Sequence, residues 1–141
     1  MNCFGRRPNA IAGFLGGAAI IVIAGCGNVD SGVYHVSGEV TFEGRPVPAG
    51  TVLFQPDASQ GASGPAGLAI IRDGKYDTAD AGGKGIVGGP QRVRITGLDG
   101  KPADMAPNGV PIFRDYSTTV KLPSADTTHD FAITNHRSRR N

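Results

Sequence analysis

A chain of 141 residues has room for one domain, and its 22 glycines and 10 prolines call for many turns and short elements in place of long helices. With no tryptophan, three tyrosines and six phenylalanines, a core must be built mainly from Val, Ile, Leu and Phe. That suits a small β-sandwich better than a large enzyme. The 14 Lys and Arg against 12 Asp and Glu leave a net charge of +2, too little to indicate a nucleic-acid partner.

The chain opens on a targeting pattern. Arg6 and Arg7 form a basic start, and Ile11 to Ala24 is an apolar run that ends in the small residues Ala24 and Gly25. A spanning helix needs about 20 apolar residues, so this shorter, glycine-rich run reads as a cleaved signal peptide over residues 1–25. Pro8 and Asn9 stand where a twin-arginine signal prefers other residues, which favours the general secretory route. The following "IAGC", Ile23 to Cys26, resembles the lipobox of bacterial lipoproteins. The resemblance implies that Cys26 carries acyl chains and becomes the first residue of the mature protein, tethered to a membrane without spanning it.

Cys3 would leave with the leader, so no disulfide is open to the mature chain. Loss of Arg6 and Arg7 would also leave 12 charges of each sign. Residues 26–33 read as the lipidated Cys and a flexible tether, with a reach of roughly 15 Å. The expected address is the cell envelope, and Gly27 in place of an Asp after Cys26 favours the outer membrane.

From Tyr34 the apolar residues alternate, as strands require. In "YHVSGEVTF" Tyr34, Val36, Val40 and Phe42 share one face and His35, Ser37, Glu39 and Thr41 the other. "EGRP", Glu43 to Pro46, is a turn, and Val52 and Phe54 point inward from the next strand. A polar loop covers residues 57–67. "LAII", residues 68–71, and "KYDT" flank a hairpin turn at Asp73-Gly74.

"QRVRITG" places Val93 and Ile95 inward and Arg92, Arg94 and Thr96 outward. Residues 98–112 lack any period and form either a functional or a mobile loop. Two last strands follow, with Thr118, Val120 and Leu122, then Phe131 and Ile133, facing inward. About seven antiparallel strands over residues 34–134 predict a single β-sandwich, followed by a basic, frayed tail at 135–141 carrying Arg137, Arg139 and Arg140.

"GKGIVG", residues 83–88, spells the G-x-G-x-x-G of dinucleotide-binding folds. That motif works by starting a helix whose N–H groups hold a pyrophosphate. Here Gly89-Pro90 and a strand pattern follow, so the glycines are expected to bend the chain between strands.

"VSGEVTFEGRPVPAGTVLFQP", Val36 to Pro56, resembles the first hairpin of the carboxypeptidase regulatory-like and transthyretin-like domains, with Gly38, Val40, Gly44, Pro46, Gly50, Val52 and Phe54 on the pattern. "DGKYDT", "GGPQRVRITG", "PIFRDYSTTVKLP" and "HDFAI" continue in the order seen in small planctomycete-type lipoproteins built on that domain. The resemblance implies a transthyretin-like, or prealbumin-like, sandwich on a lipid anchor at Cys26. The expected function is a non-catalytic envelope module, since the three histidines at 35, 129 and 136 show no metal-site spacing and no catalytic residue or cofactor motif stands out. The expected contacts are the membrane and an envelope protein or glycan, through an edge strand or through loops 57–67 and 98–112.

A carbohydrate-binding module is the alternative, although Tyr34, Tyr76 and Tyr116 are the few rings of the type that sugars stack on. A transthyretin-like hydroxyisourate hydrolase is a third reading. It rests on His35-Val36 before Gly44-Arg45-Pro46, but the chain ends "HRSRRN" without the Tyr-Arg-Gly-Ser of those enzymes. His35 is expected to be an exposed strand residue. Asp77 and Asp80 are expected to be turn acids, and His129 and Asp130, as strand neighbours, to point apart.

Overall fold

The alternation in "VSGEVTF" becomes the first strand of a computed structural model that describes residues 32–134. β1 (Val36–Phe42) buries Val36 and Val40 completely. It turns back at Glu43 and Gly44, both at positive φ (50° and 79°), into the two-residue β2 (Arg45–Pro46). Two successive left-handed residues match the twist of a tight hairpin, and glycine at the second adopts that conformation freely.

β3 (Ala49–Pro56) sends Val52 and Phe54 inward. It is flanked by β4 (Gly67–Arg72) and β6 (Gly89–Leu98), both antiparallel, with Ala49 opposite Arg72 on one side and opposite Leu98 on the other. β4 turns at Asp73-Gly74 into β5 (Lys75–Asp77), and β5 pairs with β1. β7 (Tyr116–Leu122) lies on β6, so the order is β2-β1-β5-β4-β3-β6-β7. The result is one curled, mainly antiparallel all-β sheet.

Nine strand segments appear where about seven were expected. Two of them, β2 and β8 (Thr127–Thr128), are two-residue pairings too short to show a period. The chain also departs from a purely antiparallel arrangement at its end. β8 and β9 (Phe131–Ile133) both run parallel to β1, with Val36 opposite Thr127 and Val40 opposite Phe131.

Inside the curl, the rings of Phe54, Tyr76 and Phe131 meet at tilted angles with centroids 5.9–6.4 Å apart. Val36, Val40, Val52, Ile71, Ile86, Val93 and Ile95 fill the space around them, each 0–1% exposed. Burying each such side chain stabilises by roughly 1.5–3 kcal/mol, and with no cysteine among the described residues this core carries the described domain.

Residues 98–112 are ordered in place of the aperiodic loop that the sequence suggested. Leu98 bridges Pro111, and Ala103 and Ala106 exchange both main-chain hydrogen bonds around a two-residue tip, Asp104-Met105. The clamp is Asp99, whose Oδ1 accepts the N–H of Lys101 and of Val110, both at 3.0 Å. Gly109, at φ 95°, passes so close that a Cβ there would sit 2.0 Å from that oxygen.

The registers define two poles. The chain enters at Gly32 beside the ends of β3 and β7. The turns at 43–44 and 73–74, the 98–112 hairpin and Thr134 gather at the opposite pole.

Candidate functional site

Cys26, the expected leader, most of the expected tether and the tail 135–141 lie outside the described residues. The surfaces expected within the domain can be placed.

Loop 57–67 is built on Asp57, which is only 4% exposed. Its carboxylate accepts the Ser59 hydroxyl at 2.6 Å, the Ser59 N–H at 3.1 Å and the Gln60 amide at 3.0 Å, capping a short turn of 3-10 helix at Ala58–Gln60. The Arg92 guanidinium lies 3.5 Å away. These donors, the Ser59 hydroxyl first, hold the carboxyl below its ordinary range against an opposing effect of burial. The group is an N-cap that ties a loop down.

The glycine-rich 83–88 segment takes an extended path between β1 and β4. Lys84 exchanges both main-chain bonds with Leu68, and Ile86 does the same with Tyr34. A Cβ on Gly85 would fall 2.4 Å from the Val33 side chain, so glycine is required by close packing. The N–H groups of Gly83, Lys84 and Ile86 are spent on main-chain carbonyls, and a strand, not a helix, follows the segment.

Other acids do the same structural work. Asp77 accepts the Ala79 N–H in its turn, at 2.8 Å. Asp126 accepts the His35 N–H at 2.8 Å, and Asp130 the Glu39 N–H at 2.9 Å. His129 stands edge-on to Phe131 at 4.8 Å, while its carbonyl accepts the Tyr76 hydroxyl. Burial, with help from the charges of Asp130 and Asp77, holds the Tyr76 phenol well above its ordinary value. Among the described residues no group of three or more His, Cys, Asp or Glu is placed to hold a metal ion.

Two grooves stand out by their lining. One, of about 540 Å³, runs over β1 and β5 and mixes Glu39, Asp77, Asp80 and Asp130 with Arg72 and Lys75. The other, of about 620 Å³, opens between the start of β7 and β9, floored by Phe42, Phe113 and Tyr116 and flanked by Arg114 and Asp115. Phe42 and Phe113 stack at 5.0 Å. Sequence alternation placed Phe42 correctly but missed this groove, because Phe113 reaches it from the irregular segment ahead of β7.

Beside that second groove, β7 has β6 on one side and no strand on the other among the described residues. Seven residues long, it contains no proline, and such an edge is open to pairing. The charges of the sheet are unevenly placed, although Lys75 lies among the acids of β5. β6 and β7 carry Arg92, Arg94 and Lys121 and no acid, whereas Glu39, Asp77, Asp126 and Asp130 collect along β1, β5 and the 126–130 segment.

Comparison with family descriptions, curated proteins and solved structures finds no match to this chain.

Proposed function

We propose that this protein is a non-catalytic lipoprotein of the cell envelope, held to a membrane by acyl chains on Cys26 and serving as a binding or structural module. Its curled sheet is read as a transthyretin-like sandwich following a cleaved signal peptide. One observation carries the non-catalytic reading. Asp57, Asp77, Asp99, Asp126 and Asp130 each accept a main-chain N–H, so these carboxylates hold loops and strand edges together. The open β7 edge, with Arg92, Arg94 and Lys121 beside it, is the surface best suited to an extended partner segment.

The test is membrane fractionation with fatty-acid labelling of wild type and Cys26→Ala, followed by crosslinking and capture. Label and membrane association lost together in Cys26→Ala support the anchor. A wild type that is unlabelled and soluble overturns it.

A glycan-binding module is the second reading, favoured by the Phe42, Phe113 and Tyr116 floor of the β7–β9 groove. Retention on an insoluble polysaccharide, lost in Phe113→Ala, would support it. Turnover of hydroxyisourate would favour the hydrolase reading instead.

A further inference from the structure

β1 and β9 are the first long strand and the last strand of the described domain, and they are hydrogen-bonded neighbours running in the same direction. Because they are parallel, the chain enters at one end of their shared seam, near Tyr34, and leaves at the other, at Thr134. Tension drawn through the two chain ends therefore slides β1 past β9. Every hydrogen bond across the seam lies transverse to that pull, and the bonds must fail together. An antiparallel terminal pair would put both ends at one pole, where the same pull opens bonds one after another.

The seam is longer than β9 alone. β8 continues it with Val36 opposite Thr127 and Ser37 opposite Thr128. From His35 to Glu43 the bonds follow in order: Thr127 N–H to the His35 carbonyl at 2.9 Å, His129 N–H to Ser37 at 2.8 Å, and Glu43 N–H to Ile133 at 2.8 Å. Where the β8–β9 chain bends away, Asp126 and Asp130 take up the His35 and Glu39 N–H groups with their side chains. Behind the seam, Tyr76 is bonded to the His129 carbonyl, and Phe131 and Ile133 are buried in the core. Gly38 lets that carbonyl approach, since a Cβ would lie 2.1 Å from it.

The geometry points to a mechanical function: the β1–β8–β9 seam is a shear clamp, and the domain is a coupler that stays folded under tension between its N-terminal attachment and a load at the opposite pole. The clamp stands on the strand geometry alone. Its use in the cell rests on the anchor at Cys26.

Single-molecule pulling of the full chain tests it. Handles at the two chain ends load the seam in shear. Handles at azido residues replacing Thr134 and, in β5, Lys75 both sit toward the far pole and peel β9 from its exit. Forced unfolding follows the barrier along the pulled direction, so the end-to-end force should exceed the peeling force at least about twofold at equal loading rate. Asp126→Ala with Asp130→Ala should lower the end-to-end force and leave the peeling force nearly unchanged. Asp99→Ala, which loosens the hairpin away from the seam, should change neither.

Equal forces in the two geometries would overturn the clamp, as would a seam variant that weakens both directions alike. If the double variant does not fold, the wild-type comparison of directions and the single Asp126→Ala variant decide the matter. A clamp that holds in a chain shown not to be acylated would leave the mechanical property standing while removing the anchor.

Discussion

Oδ1 of Asp130 accepts the main-chain N–H of Glu39 at 2.9 Å, across 91 positions of sequence. A strand edge normally finds a backbone carbonyl at that point, and here a side chain substitutes for one. Asp130→Ala leaves the Glu39 N–H to solvent and should cost about 1 kcal/mol in urea unfolding. Asp130→Asn keeps an acceptor oxygen and should recover most of the loss. Equal stability of wild type and Asp130→Ala would show that the bond contributes nothing.

Gly38 faces the His129 carbonyl at a distance no Cβ tolerates, though its backbone is otherwise ordinary for a strand. Gly38→Ala must push β8 and β9 off β1 or bend β1 itself. The expected loss is about 1–3 kcal/mol, read by thermal or urea unfolding. Faster amide exchange at His129 than at Val93 would locate the damage in the seam.

Asp57 gives the domain an acid limit. Its folded-state carboxyl titrates below the ordinary value of 3.8, so the unfolded chain binds the proton first as pH falls. The stabilisation is complete above that ordinary value and drains away as pH drops through the folded one. Wild type should therefore lose stability relative to Asp57→Asn below about pH 4. Parallel pH profiles of the two proteins would contradict this.

Tyr76 sets the opposite limit. Burial raises its phenol above the ordinary 10.0, so between that value and the folded one the native state keeps a proton that the unfolded chain has released. Stability should be fully present below pH 10 and fall as pH climbs beyond it. Tyr76→Phe should lose about 1 kcal/mol at neutral pH, through the orphaned His129 carbonyl, yet show a flatter alkaline limb in the same unfolding series.

Asp99 accounts for the order of the 98–112 hairpin. Asp99→Ala should speed amide exchange at Lys101 and Val110 without altering exchange in β3 or β6. Met105, already 97% exposed, should oxidise at the same rate in both proteins.

What the sequence made legible was whatever repeats locally. Val36 and Val40, Val52 and Phe54, and Val93 and Ile95 declared their faces by a period of two, and Asp73-Gly74 declared its turn. The parallel return of β8 and β9 left no local trace, because it depends on a pairing some ninety residues apart. The roles of Asp126 and Asp130 were hidden for the same reason, since a carboxylate bonded to a distant N–H looks like any loop acid. Asp57 was closer to readable, for an Asp two residues ahead of a Ser is a capping pattern. Gln91 was not: it sits 1% exposed with its amide nitrogen on the Val87 carbonyl and its oxygen unpartnered, inside a strand whose start reads as polar.

The uneven placing of charge also has a consequence in solution. With Arg92, Arg94 and Lys121 and no acid on β6 and β7, and with Glu39, Asp77, Asp126 and Asp130 outnumbering Lys75 across β1, β5 and the 126–130 segment, the domain carries a charge asymmetry across its sheet. At low ionic strength it will adhere to cation and anion exchangers alike, each through a different side. Salt that shortens the Debye length to a few ångströms will release it from both. Near a charged surface the same asymmetry favours one orientation of the domain, so a small net charge does not make it indifferent to how it is presented.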